Sequence, residues 1–142
     1  MVQKAKEAAD QAISVGPDQF EGYAARAAYR SNFDWDWAGA RANLQRALEL
    51  NPGDDRPHYR FASLLLKLGL FQEALNACSR TVEINPLSDE GWRTKGYILI
   101  AMHRLADAEI PIRRSLEIQP ANPRNREFLA ELLLLQADRL TR

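Results

Sequence analysis

The sequence predicts an all-α array of helix–turn–helix repeats, and three registers carry that prediction. Pro17, Pro52, Pro86 and Pro120 stand at a constant spacing, save that the first interval is longer by a single position. Three turns before each proline lies an alanine, at Ala5, Ala40, Ala74 and Ala108. Closer to it lies a small residue, at Ala12, Ala47, Thr81 and Ser115. A period of about 34 residues with small side chains held in register marks units of one helix pair each, which bury their apolar faces by stacking on one another.

Residues 1–19 hold a leading helix over 3–15, in which Ala5, Ala9, Ala12 and Ile13 recur at helical spacing. Gly16-Pro17 ends it, because glycine relieves the last turn and proline cannot continue it. This helix reads as the second half of a repeat, which either caps the array or marks a domain cut from a longer protein, the cut being the favoured reading.

The first full repeat is 20–54, with helices over 20–32 and 37–50 and with Tyr23, Ala27, Ala40, Leu44, Ala47 and Leu48 inward. Its one surplus residue falls within Asn32-Phe33-Asp34-Trp35-Asp36-Trp37. Asp36 is placed to cap the second helix by accepting from its free backbone N–H groups, and Trp35 to clamp the lengthened turn. Arg26 and Arg30 stand where large apolar residues belong, so either the register slips or their stems snorkel past a thin core.

In the second repeat, 55–88, Pro57 suits a first turn and Phe61, Ala62 and Leu65 face inward. Gly69 is free to take positive φ in the turn. Ala74, Cys78 and Val82 line the second helix, where small side chains let the axes approach to about 8–10 Å. In the third, 89–122, Ser88 caps the first helix and Trp92, Gly96 and Leu99 point inward. His103 takes the turn place of Gly69, a histidine being tolerated at positive φ. Pro111 is expected to kink the second helix near residue 107. Residues 123–142 hold a terminal helix over 124–140 behind Asn122, with Leu129, Ala130 and Leu133 in register.

The 142 residues suit one domain. Nineteen basic and nineteen acidic residues cancel, and an electrostatic nucleic-acid binder would show a basic excess. Cys78 is the one cysteine, so there is no disulfide framework, and its helical register reads as packing. No apolar run approaches the roughly 18 residues of a membrane span, and no signal-peptide apolar region opens the chain; both features suit a cytoplasmic domain. His58 and His103 lie in different repeats without metal-ligand spacing. The chain shows no glycine-rich phosphate loop and no nucleophile elbow. The sequence therefore predicts no enzyme, no cofactor and no metal.

These residues together resemble the tetratricopeptide repeat. That motif sets a bulky residue early in its first helix, a small one a turn later, small residues in the second helix and a proline after it. Trp92, Gly96, Ala108, Ser115 and Pro120 match in the third repeat; Ala62, Gly69, Phe71, Ala74 and Pro86 match in the second. The pattern departs at Arg26, Arg30, Lys95 and Pro111. The resemblance implies a right-handed superhelix of antiparallel helix pairs, about eight helices, whose function is non-catalytic protein–protein interaction. A narrower likeness lies in Asp34-Trp35-Asp36-Trp37-Ala38 with Arg46-Ala47-Leu48-Glu49-Leu50-Asn51-Pro52. It is similar to repeat segments of bacterial regulators that follow winged-helix DNA-binding or nucleotide cyclase domains.

In that family the first helix of each repeat lines a concave groove. Carried over, the groove positions hold Arg56, Tyr59, Ser63, Leu66 and Lys67, then Glu90, Arg93, Tyr97, Ile100 and Ala101, then Arg124, Glu127, Glu131, Leu134 and Leu135. The set expected to contact a partner is Arg56, Tyr59, Ser63, Lys67, Glu90, Arg93, Tyr97, Arg124 and Glu127. Tyrosines, cations and aliphatic surface suit an extended or helical peptide with acidic and apolar residues. Chaperone-binding members grip a terminal dicarboxylate with lysine, asparagine and arginine. The corresponding places hold Tyr59, Ser63, Thr94, Arg124 and Phe128 or, one repeat earlier, Ala24, Ala28, Arg60, Glu90 and Thr94, and neither set makes that clamp.

The terminal helix carries Leu132-Leu133-Leu134-Leu135. A stripe of Leu129, Leu133, Ala137 and Leu140 would fill its buried face, leaving Leu132, Leu134 and Leu135 as a surface for self-association or for docking of a segment outside this chain, with homo-oligomerisation or assembly, for instance as a homodimer, the alternative function. An RNA-binding helical repeat would need a basic, aromatic inner face. Arg56, Tyr59, Lys67, Arg93 and Tyr97 offer a weak version, interrupted by glutamates.

Overall fold

A computed structural model describes residues 2–16 and 20–141. Among them are eight α-helices: α1 Val2–Val15, α2 Phe20–Tyr29, α3 Trp37–Leu50, α4 Asp55–Lys67, α5 Phe71–Ile84, α6 Asp89–Ala101, α7 Leu105–Ile118 and α8 Pro123–Leu140. The pairs α2–α3, α4–α5 and α6–α7 pack closely, and each pair rests on the next, with α1 against α2 and α8 against α7. The described residues thus form a helical-repeat solenoid. Pro17, the first of the spaced prolines, lies outside them.

The period of the sequence recurs in the bonding of the loops. Asp54, Ser88 and Asn122 each cap the helix that follows, accepting from the N–H of Arg56, Gly91 and Arg124. Their own N–H groups donate to Asn51, Asn85 and Gln119 carbonyls at 3.2, 3.1 and 3.2 Å. The loop prolines serve as acceptors: Trp92 Nε1 donates to the Pro86 carbonyl at 2.8 Å, and His58 Nε2 to the Pro52 carbonyl at 3.2 Å. Loop carbonyls that cannot join a helix ladder are satisfied in this way.

Within each pair the turn holds one left-handed residue. Trp35, Gly69 and His103 have φ of 55°, 75° and 58°, as expected for Gly69 and His103. Trp35 stands as far along the chain from Pro52 as Gly69 does from Pro86 and His103 from Pro120. The surplus residue of the first repeat therefore lies upstream of Trp35. It is absorbed as a single π turn over Arg30–Asp34, closed by the Trp35 N–H donating to the Arg30 carbonyl. A π turn is the widening that one extra residue produces in a helix. The α-helix expected over 20–32 ends at Tyr29 for this reason. The widening puts Ser31 in a buried position and leaves Arg30 beside Asp36, Nη1 to Oδ2 3.6 Å. Arg26 likewise reaches outward, to Asp10 on α1 at 2.8 Å. Asp36 does cap α3, accepting from the Gly39 N–H at 2.8 Å. Trp35 stands 72% exposed and meets Trp37 edge-on at 6.0 Å between ring centroids, so it covers little of the turn.

The small-residue registers are the points of closest packing. Ala40, Ala47, Ala74, Thr81, Ala108 and Ser115 have no exposed surface. A side chain at Gly96 would run into Ile112 on the paired helix. Ala5 and Ala12 differ: both are exposed and Ala9 is buried, because α1 packs on α2 and no helix pairs with its other face among the described residues. Pro111 is buried within α7, which runs unbroken from Leu105 to Ile118.

The register expected for α8 is corrected. Leu132 is fully buried, whereas Leu133 is 45%, Leu134 72% and Leu140 88% exposed; Ala130 and Ala137 are exposed too. The stripe that faces the third repeat is Asn125, Phe128, Leu129 and Leu132. It begins on a polar residue: Asn125 Nδ2 donates to the Ser115 and Gln119 carbonyls at 3.0 and 3.1 Å and so docks α8 on the end of α7.

Candidate functional site

The first helices α4, α6 and α8 border one concave groove of about 710 Å³. Its walls hold Tyr59, Ser63, Leu66 and Lys67 from α4, Glu90, Arg93, Thr94, Tyr97 and Ala101 from α6, Arg124, Glu127 and Phe128 from α8, and Phe71 from the start of α5. The structure thus brings together Tyr59, Ser63, Lys67, Glu90, Arg93, Tyr97, Arg124 and Glu127. Arg56 falls outside the lining: its guanidinium folds back on Asp54, Nη2 to Oδ2 2.6 Å. That contact holds the Asp54 carboxyl below the usual carboxylate range. Ile100 is buried in the core, and Glu131, Leu134 and Leu135 lie beyond the groove.

The groove is built in layers. Arg93 is its buried charged base. Its Nη1 donates to Asn125 Oδ1 at 2.8 Å and lies 3.4 Å from Asp89 Oδ2. Asp89 Oδ2 also accepts from Asn122 and Asn125, both at 3.1 Å. A buried ion pair is tolerable when its remaining atoms are hydrogen-bonded in this manner. The network therefore fixes α6 against α8 and spends the charge of Arg93 inside the protein. Above it, Tyr97 and Phe128 meet with ring centroids 5.0 Å apart at 59°, the tilted geometry that aromatic pairs prefer. Lys67, Glu90, Arg124 and Glu127 stand exposed around this centre. Lys67 Nζ makes one long contact, 3.4 Å to Asn32 Oδ1. The Ser63 hydroxyl is committed to the Tyr59 carbonyl at 3.0 Å.

A smaller hollow of about 200 Å³ shares Ser63 and Lys67 and carries the concave surface on to Ala24, Ala28 and Asn32 of the first repeat. Away from both, Lys6, Asp10, Arg26, Arg30, Asp34 and Asp36 border a third hollow, where Arg26 with Asp10 and Arg30 with Asp36 form ion pairs. No group of three or more His, Cys, Asp or Glu that could hold a metal ion occurs among the described residues, and no helix there is long and apolar enough to cross a membrane. Cys78 lies in the core, its Sγ donating to the Gly91 carbonyl at 2.9 Å. Burial pushes its thiol up to about 12, which keeps it protonated and unreactive.

Sequence reasoning missed Phe71 as a groove residue. It lies one full period after Trp37 and was legible as a turn aromatic. Its place at the first residue of α5 turns it toward the groove as well.

Helix pairs stacked in order, with a groove along their first helices, define an α-solenoid. Residues 36–98 match the tetratricopeptide-repeat family model, so that stretch carries the repeat. The chain is 28% identical over 105 residues to DnaJ homolog subfamily C member 3 of Rattus norvegicus, covering 74% of this chain and spanning 20% of that relative's length. Among solved structures it resembles Pseudomonas aeruginosa pilF, with a TM-score of 0.83 at 18% identity over 96% of this chain and 62% of that one. It also resembles the first tetratricopeptide domain of Spaghetti (RPAP3) bound to the HSP90 peptide SRMEEVD, with a TM-score of 0.75 at 18% identity over 84% and 94% of the two chains. At these identities the structural likeness speaks to the fold.

Proposed function

We propose that the groove of α4, α6 and α8 binds a partner segment, extended or helical, that carries an apolar or aromatic anchor flanked by acidic residues. The observation that carries this reading is the pairing of the exposed Tyr97 with the half-buried Phe128 in the groove wall, between two cations, Lys67 and Arg124, that lack an ion-pair partner among the described residues. An anchor side chain gains burial against the rings, and flanking carboxylates gain charge-assisted contacts with the cations. Glu90 and Glu127 set the register by repelling a misplaced acid.

The function is scaffolding without catalysis, in a cytoplasmic setting and as a module of a larger bacterial regulatory protein; the segment from Asp34 to Pro52 is what supports that last part. The peptide of the RPAP3 domain ends in two acids, valine and aspartate. Here Tyr59, Ser63, Thr94 and Phe128 replace the amide and cationic side chains of a dicarboxylate clamp, so the ligand we propose is an internal segment rather than a chain terminus.

The test is selection from a random peptide library on the purified chain, followed by calorimetry. We expect recovered peptides to share an apolar or aromatic residue with nearby acids, and to lose at least tenfold in affinity, about 1.4 kcal/mol, with Tyr97→Glu or Lys67→Glu. Recovered peptides that bind both variants as well as the parent would overturn the groove as the site.

A further inference from the structure

The hollow between α2 and α4 continues the groove one repeat toward the start of the chain, and its chemistry differs from that of the ring pair. Its floor is aliphatic, made of Ala24, Ala27, Leu44 and Leu64, all buried, and no aromatic ring among the described residues lines it. Its rim is cationic: Arg60 and Lys67 stand exposed over it, with the Asn32 amide oxygen 3.4 Å from Lys67 Nζ. Neither cation has an ion-pair partner among the described residues, and no carboxylate among them lines the hollow. The other end of the concave surface is mixed, with Glu90 and Glu127 among its cations. Repeat register explains why the hollow is open. Ala28 stands on α2 where Tyr97 stands on α6, and Ala24 where Arg93 stands. On α6 the protein's own ring and guanidinium occupy those places; on α2 two methyl groups leave about 200 Å³.

We propose that this hollow is a second anchor subsite for the partner segment, taking a short aliphatic side chain whose neighbour in the segment is an acid. The inference rests on the groove of α4, α6 and α8 being the partner site. Ser63 and Lys67 line both hollows, so one segment can run from one to the other. The aliphatic side chain gains burial on the methyl floor, and the carboxylate gains charge-assisted contacts with Arg60 and Lys67. The two anchors lie two helix steps apart, from the cleft between α2 and α4 to the ring pair between α6 and α8. Each first helix packs on the next, and axes in such contact stand about 8–10 Å apart, which puts the anchors about 16–20 Å apart. An extended chain advances about 3.3 Å per residue, which sets the aliphatic anchor about five or six residues from the one seated on Tyr97 and Phe128. Spacing between two unlike anchors, and not residue type alone, then selects the partner.

The test uses a display library of random peptides about 12 residues long, enough to span both anchors in extended form, followed by calorimetry on the intact chain. Ala28→Tyr fills the hollow with the side chain that α6 carries at the same position, and Arg60→Glu reverses the charge of its exposed rim. Circular dichroism checks that both stay folded, and Tyr97→Glu reports separately on the ring pair. Peptides selected on the parent are expected to carry an aliphatic residue beside an acid about five or six residues from the anchor of the ring pair. The leading peptide is expected to lose about tenfold or more in affinity with Ala28→Tyr and with Arg60→Glu. A shortened form without the aliphatic–acid pair is expected to bind the parent about tenfold less tightly. It should be indifferent to those two substitutions and still be weakened by Tyr97→Glu. A leading peptide weakened by Tyr97→Glu but bound unchanged by Ala28→Tyr and Arg60→Glu would overturn the second subsite and leave the groove standing. Selected peptides in which the pair is missing, or keeps no fixed distance from the other anchor, would overturn it as well. A leading peptide indifferent to Tyr97→Glu would overturn the groove reading itself, and the two-anchor segment with it.

Discussion

In the third repeat Leu99 and Ile112 fill the space between the paired helices, and a buried Asp89–Arg93–Asn125 network ties the pair to α8. In the first repeat the corresponding core is Ala24, Ala27, Ala40, Leu44 and Ala47, completed by Leu64 from the next repeat. Where the third has Leu99, the first has Arg30 and Ser31 at the start of a π turn, and the arginine is swung out to Asp36. One repeat register thus accepts two solutions. A well-filled pair keeps the register strictly, and a thin pair accommodates an insertion and two arginines at its edge.

The difference should appear first in the cores. Ile112→Ala, at a site with no exposed surface, is expected to cost about 3–5 kcal/mol, and Leu44→Ala, in the thinner core that can collapse around it, about 2 kcal/mol. Denaturant unfolding gives both, and equal losses would break the contrast. Deleting Asn32 comes next. It removes the surplus residue, returns the π turn to α geometry and drives Arg30 to the place of Leu65 and Leu99. A loss of about 2 kcal/mol or more is expected, recovered to within about 1 kcal/mol when Arg30→Leu is added. A deletion as stable as the parent would mean that the π turn does not serve to keep Arg30 out.

Asn125→Ala leaves Arg93 and two carbonyls short of a partner. An expected loss of about 1–3 kcal/mol should be concentrated in α8, as faster amide exchange there than in α2. Cys78 gives a pH signature on the well-packed side. Its thiol is raised when folded, so the folded state holds the proton that the unfolded chain loses. Stability is therefore unaffected below the ordinary thiol range and falls as pH climbs from there toward about 12. Thiol-labelling rates at pH 9 should match the rate of global opening. The smallest effect is at a turn: His103→Gly relieves φ of 58° and should add about 0.5–1 kcal/mol to stability, seen as a small rise in Tm.

How far the molecule was legible depended on whether a position repeats. The spaced prolines, the small-residue registers and the left-handed His103 could be read because each is one instance of a period, whereas the Asp36 cap was legible from its residue type alone, Leu70 and Arg104 standing in its place without a side-chain cap in the later repeats. Eight of the nine expected groove residues share one concave surface for the same reason, since position within a first helix determines which way a side chain points. Arg56 departs because a local ion pair with Asp54 outcompetes the general direction of the helix. The face of α8 could not be read, because four consecutive leucines are compatible with any stripe and the residue that settles the register, Asn125, is polar. A hydrophobic pattern passes over an amide whose burial rests on four hydrogen bonds. The π turn was visible as a surplus residue, but its place depended on which of two neighbours, Arg30 or Ser31, could be buried.

The most direct measurement of the central claim, that α4, α6 and α8 form the partner site, is an amide chemical-shift titration of the intact chain with a library-selected peptide. The largest shifts are expected to cluster around Tyr59, Lys67, Thr94, Tyr97, Arg124 and Phe128, with the α1 and α7 faces unmoved. Shifts confined to the exposed leucines of α8, or to the Trp35 turn, would contradict it.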